Sequence, residues 1–341
     1  MRWMTVACAL LGVPSVAAAQ QVTLQLDPAK AELLGLDAAT VEVDVDQAIR
    51  DELGLEDADT YTRYMADAAA MSMRGLGVDY ASNPKKFTLG AGFGTAVAGV
   101  SPRLVRGEEL LPPGGYAVQL SAMGGVNLGL LTASDKRGPL DHVMVYAHGM
   151  TLTAPPNATV QGRMVNYGGH IQIKVGGPIN IKAVEWGGVD LTSGYERGSY
   201  TLGLSGAVPV ERAVDDDLTV RWKANGDFAI TTSSATVPIE VSTNVRVLVF
   251  TAYAGAAVDL AMGQGDAEGS VSGPVLLDVD DQTERIGTAT VSAVGRAAVT
   301  PQVGRAFLGV QINVLPVKLY GHINGGSNGG FGGHLGARLA L

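Results

Sequence analysis

Five histidines, His142, His148, His170, His322 and His334, are the side chains in this sequence best suited to moving protons or holding a metal. No two stand four residues apart and no His-Glu-x-x-His run occurs, so a helix-borne zinc hydrolase has no ligand set. Ser205, in Gly203-Leu204-Ser205-Gly206, falls short of the Gly-x-Ser-x-Gly elbow that lifts a nucleophile out of a strand-to-helix turn. Gly90-Ala91-Gly92-Phe93-Gly94 lies inside a strand pattern, not at the opening of a helix, so its glycines serve packing and not phosphate. Asp278, Asp280, Asp281 and Glu284 carry charge enough for calcium, but their spacing fits no calcium loop. A solvated acidic loop over 262–284 is expected instead. The sequence therefore predicts no catalytic residue, no metal site and no cofactor.

The elements that carry these residues follow from composition. The chain is 46% hydrophobic and only 17% charged, with a mean hydropathy of +0.19. A soluble domain usually carries about 25% charged residues. Residues 1–19 have the form of a cleaved signal peptide: Arg2, an apolar run from Val6 to Val16, then Ala17-Ala18-Ala19. Cys8, the single cysteine, falls within it, so disulfides and thiolate zinc sites are excluded from the remainder. Past residue 21 no apolar window is long enough for a spanning helix.

Residues 22–85 hold 13 acidic and 5 basic side chains, a net charge of −8, whereas 86–341 is nearly neutral. No basic patch argues for nucleic acid. Within the acidic segment, Val22 to Leu26 alternates as a short strand, 46–55 fits a short helix, and 59–74 fits a better one. Tyr61, Tyr64, Met65 and Ala68 recur at helical spacing, Asp59 is the N-cap, and Gly75 and Gly77 end the run.

From Lys86 the period changes to two. Apolar residues on one face oppose His170, Gln172 and Lys174 in 165–175; Arg221, Lys223, Asn225 and Asp227 in 218–230; Arg305, Gln311 and Asn313 in 304–315; and Lys318, His322 and Asn324 in 317–325. Strands are expected over 86–99, 115–131, 141–153, 160–175, 179–191, 196–210, 217–230, 236–258, 285–299, 304–315, 317–325 and 331–341. Strands of a soluble sandwich run about 5–6 residues, whereas membrane-spanning strands need roughly 9–11 with apolar-out, polar-in alternation. The prediction is all-β: a transmembrane antiparallel up-and-down barrel over 86–341 of about 12 strands, within 10 to 14, preceded by the acidic segment 20–85.

The final residues, His334-Leu335-Gly336-Ala337-Arg338-Leu339-Ala340-Leu341, resemble the terminal β-signal of outer-membrane barrels, with His334, Gly336, Leu339 and Leu341 at the patterned places and Leu341 where many such proteins end in Phe or Trp. That resemblance implies recognition by the barrel-assembly machinery and insertion among outer-membrane lipid. The general plan, a helical segment leaving through Asn83-Pro84 into a barrel, resembles the FadL-type barrels, with Lys85 where that family has Ala. It implies an N-terminal hatch inside the barrel and the passage of hydrophobic compounds.

The function expected first is a passive outer-membrane channel or transporter for small or hydrophobic solutes. Its lumen would be lined by His170, Lys174, Arg221, Lys223, Asp227, Glu240, Arg246, Gln311, Asn313, Lys318 and His322. The helix marked by Tyr61, Tyr64, Met65 and Ala68 either precedes the barrel or plugs it, pairing with Arg221, Lys223, Arg246 and Lys318. The alternatives are a surface-interaction barrel acting through loops 101–114 and 262–284, and a membrane-embedded lipid-modifying enzyme.

Overall fold

The computed structural model describes residues 20–27, 58–82, 84, 86–99, 114–131, 138–154, 160–176, 178–215, 218–279, 282–314 and 316–341. Residues 1–19, the helix expected over 46–55, Asn83, Lys85 and most of the loop 101–114 lie outside them.

The elements in chain order are β1 (Gln20–Leu26), α1 (Ala58–Met71), β2 (Phe87–Ala98), β3 (Gly115–Asn127), β4 (Val143–Ala154), β5 (Val160–Val175), β6 (Ile179–Ile181), β7 (Val184–Asp215), β8 (Leu218–Val247), β9 (Phe250–Val279), β10 (Gln282–Ala298), β11 (Gln302–Val314), β12 (Val317–Gly326) and β13 (Phe331–Ala340). Among the described residues ten strands close a ring in the order β2-β3-β4-β5-β7-β8-β9-β11-β12-β13, and β13 returns to β2. Every pairing is antiparallel. Closure leaves no sheet edge exposed within the ring.

Alternation explains both surfaces of the wall. Along β11, Val303, Arg305, Phe307, Gly309 and Gln311 are buried, while Ala306, Leu308, Val310 and Ile312 are exposed. The outward residues are the large apolar ones: Phe93, Ile171, Ile239, Leu308, Val310 and Leu335, the last 66% exposed. The inward set is polar, including Gln119, His170, Glu196, Glu240, Asp259, Arg305 and Arg338. A soluble fold would reverse this, because apolar area gains about 25 cal/mol per Å² only by leaving water.

The two ends of the ring differ. At one end, Leu248 and Val249 join β8 to β9, two residues join β11 to β12, and the longer connection 128–142 joins β3 to β4. The barrel's first and last residues meet at this turn end, where Lys86 N donates to Leu341 O (2.7 Å) and Leu341 N donates to Phe87 O (3.0 Å). The opposite, loop end carries a long extension. β7, β8 and β9 are 32, 30 and 30 residues long, far beyond what a bilayer needs. The lower part of β9, up to Leu260, pairs β11, and its upper part, from Gln264, pairs β10 on the same edge. β10 and β11 are thus two halves of one run broken at 299–301. β1 adds to the far edge of β10, Gln20 opposite Ala293 and Leu26 opposite Gly287. One face of this projecting sheet buries Trp222, Val275, Leu277, Ile286 and Val291.

Three expectations change. The predicted strand 179–191 is divided between β6 and the start of β7, and β7 runs on through the predicted strand 196–210. The predicted strand 236–258 is instead divided between β8 and β9 at the tight turn 248–249. The acidic loop expected over 262–284 is mostly strand. Its glycines and serines resemble loop composition, but β8 and β10 satisfy its backbone groups on both edges. The ring has ten members because the remaining strands, β1, β6 and β10, lie outside it.

Candidate functional site: the occupied lumen

The lumen is filled by the chain's own residues 58–82 and 84. α1 is rich in the best helix former, with Ala58, Ala66, Ala68, Ala69 and Ala70. These small side chains let the helix approach the loop-end rim closely: Ala68 and Ala69 pack on Ala98 and Ala117 with Tyr64 beside them. Met65 packs on Ile230 and Ala267, flanked by Tyr61 and Phe228. Two carboxylates tie the helix to the wall. Asp59 accepts from Arg296 N (2.8 Å), and Asp67 accepts from both Thr300 N and Thr300 Oγ1 (2.7 Å each). The helix ends at Met71, three residues before the predicted end. A run of turns follows, in which Gly75 adopts φ +85°, a conformation costly for residues with a Cβ.

Below the helix the chain descends the lumen through a set of buried charges. Arg74 pairs with Glu196 on β7, reaches Asp259 on β9 (3.2 Å) and donates to Thr236 on β8. Arg305 on β11 pairs with the same Asp259 (2.8 Å), with Glu240 on β8, and donates to Asn324 (2.7 Å). Arg338 on β13 pairs with Asp79 (2.6 Å) and lies over the Tyr320 ring. All seven charged side chains are at most 3% exposed. Such pairs persist only where each charge has good partners, since the effective desolvation penalty is several kcal/mol per ion.

Aromatic contacts complete the packing. Tyr80 donates to Glu240 (2.7 Å) and stacks on Tyr253 and His322. His322 stacks on His334, with centroids 5.3 Å apart, and His334 lies 3.1 Å from Ser72 O. His148 stacks on His170, which meets Glu196 at 3.2 Å. Lower still, Asn244 donates to Tyr80 O (3.0 Å), Gln311 donates to Ser82 Oγ (2.9 Å), and Asn127 donates to Pro84 O (3.4 Å). The wall makes room for the segment with glycine: a Cβ on Gly94 would lie 2.5 Å from Ser72 O.

Of the residues predicted for the lumen, His170, Glu240, Gln311 and His322 are buried there. Lys174 pairs with Asp190 (3.0 Å). Asn313 donates to Val249 O near the turn end (3.0 Å). Arg246 pairs with Glu185, and it and Lys318 also lie at that end. Arg221, Lys223 and Asp227 are not in the lumen. They lie on upper β8 beyond the ring, where Arg221 pairs with Asp278. Their alternation is real, but past the rim it separates the faces of a sheet and encloses no pore. The bases that meet the segment's Asp79 and the wall carboxylates are consequently Arg305, Arg338 and the segment's own Arg74. Glu196, Asp259 and Arg338 were missed, although Asp259 and Arg338 are marked as single charges inside otherwise apolar or small-residue strands. In the terminal signature, His334 and Gly336 face inward, while Leu339 and Leu341 are exposed. Among the described residues no three metal-donor side chains gather into a site.

A closed antiparallel ring, an apolar outer belt and a polar lumen occupied by its own N-terminal segment define a plugged β-barrel. The chain belongs to the Lsa36-like family, whose sequence model matches residues 17–341. No curated protein matches it. Among solved structures it is similar to the translocator domain of the autotransporter NalP from Neisseria meningitidis, with 11% identity, 89% of this chain and 100% of that chain covered, and a TM-score of 0.28. It is also similar to the CymD monoaromatic hydrocarbon channel (9% identity, 81% and 98% covered, TM-score 0.24) and to a Pseudomonas aeruginosa FadL homologue (11% identity, 85% and 98% covered, TM-score 0.23).

Proposed function

We propose that this protein is an outer-membrane barrel, closed at rest, that acts through the surface it presents at the loop end. The observation that carries this reading is the lumen: residues 58–82 and 84 occupy it, and Arg74, Arg305 and Arg338 are ion-paired within it. The apolar belt is matched to lipid, and the long β7–β10 extension offers a large area beyond the bilayer. The end where Lys86 meets Leu341 corresponds to the periplasmic side of bacterial barrels, and the β7–β10 extension to the extracellular side. Export by the signal peptide and recognition of Leu339 and Leu341 by the assembly machinery belong to the same reading. No catalysis is assigned to it. The test is conductance in a planar bilayer. The full-length protein should stay closed, and a steady open pore would overturn the reading.

A second reading is favoured by the polarity of the wall. If the segment is displaced, His170, Glu240 and Gln311 line a path for a small solute. Passive transport then requires the Arg74 contacts to open. An Arg74→Ala variant that folds yet remains closed argues against it.

A further inference from the structure

Resting on the reading of the chain as an outer-membrane barrel with its turn end inside, we infer that the protein carries its own N-terminal segment across the outer membrane and holds it at the cell surface. The argument is a path. Lys86 is hydrogen-bonded to Leu341 at the turn end. Moving from Lys86 toward the N-terminus, the chain climbs the lumen. Pro84 meets Asn127 at the foot of β3, and Asp79 meets Arg338 on β13. Arg74 meets Glu196 and Asp259. Asp67 reaches Thr300, between β10 and β11, and Asp59 reaches Arg296, above it. β1 lies further out again, registered against 287–293 of β10. Gln20 and Lys86 therefore sit at opposite ends of the ring, and the described residues 58–82 and 84 lie along its inside.

Chain geometry gives this path a consequence. The barrel's first and last residues stay at the turn end, on the side from which an exported chain arrives. Residues preceding Ala58 must leave that side to reach the loop end. The route is the lumen, or the barrel before its last pairing closes. No native cysteine lies between Gln20 and Lys86, so no intrachain disulfide makes the passing segment bulky. Barrels of more than eight strands have an interior wider than their own side chains fill. After passage the segment is retained by three contacts: β1 pairing with β10, Asp67 with Thr300, and Arg74 with its two carboxylates. The cargo is thus this chain's own acidic N-terminal segment.

The experiment is cysteine labelling of intact cells with a membrane-impermeant maleimide, in a Cys8→Ser background. Thr23→Cys and Gln25→Cys place thiols at exposed positions of β1. Ser327→Cys marks the loop end, and Leu248→Cys, 73% exposed, marks the turn end. A heat-dependent gel shift establishes that each variant forms the barrel. The expected result is labelling at 23, 25 and 327 that is equal before and after the outer membrane is permeabilised, with labelling at 248 only afterwards. Labelling at 23 and 25 only after permeabilisation, while 327 labels on intact cells, would overturn the inference and leave the barrel reading standing. Labelling of 248 but not 327 on intact cells would overturn the orientation, and the inference with it. Absence of the heat shift in every variant and in the Cys8→Ser parent would overturn the barrel reading itself.

Discussion

Arg74 and Arg305 share one carboxylate. Arg74, on the segment inside the lumen, approaches Asp259 Oδ2 at 3.2 Å, and Arg305, on the wall, approaches the same oxygen at 2.8 Å. The wall's own base therefore does not discharge Asp259 completely. The plug supplies the second cation, and in return Glu196 on the neighbouring wall neutralises Arg74.

Removing Arg74 should accordingly cost more than a surface ion pair. Arg74→Ala leaves Glu196 without its guanidinium, and breaking a buried pair costs about 3–5 kcal/mol. The expected outcome is a lower gel-shift temperature and intermittent conductance. Arg74→Lys should recover part of both.

Bulk at Gly94, against the segment's backbone, should displace the segment without touching any charge. Gly94→Leu places a Cβ 2.5 Å from Ser72 O. The barrel should still form, since Gly94 pairs with His334 through its backbone. Protease cleavage within 72–82 in detergent should become fast, and unchanged resistance would contradict the placement.

The helix anchor can be tested separately. Asp67→Ala leaves Thr300 N and Oγ1 without their shared acceptor, at about 1 kcal/mol for part-buried donors that water can reach. Amide exchange should quicken in α1 and remain slow in β2–β5.

Lipid exposure makes a contrast between two surfaces. Leu308→Lys falls in the outer belt midway along β11, where a cation costs about 2–4 kcal/mol near the bilayer midplane. Arg221→Ala falls on the projecting sheet, where the pair with Asp278 is partly exposed, and such pairs contribute about 0–1 kcal/mol. Refolding into vesicles with urea titration should separate the two clearly.

The wall was legible in the sequence because its period is strict: Ala306, Leu308, Val310 and Ile312 point out wherever the strand lies. The rim was not. Arg221 and Lys223 alternate just as Arg305 does, and nothing in alternation says where the bilayer ends along a 30-residue strand. The helix over 58–71 was visible from Tyr61, Tyr64, Met65 and Ala68. The partners of Arg74, below the helix, were not visible, because Arg305, Asp259 and Glu196 come together only through ring closure between strands distant in the chain.

That closure also orders events in time. The seam between β13 and β2 is flanked by Gly94, His334 and Arg338, and on its inner side lie Ser72, Val78 and Asp79. A seam sealed early would shut against an empty bore, with Arg338 facing no counter-charge. A seam sealed late finds its contents already in position. Residues 72–79 therefore favour closure around themselves: a barrel that seals with the segment displaced still forms, but it leaves Arg338 without Asp79 and is the less stable of the two.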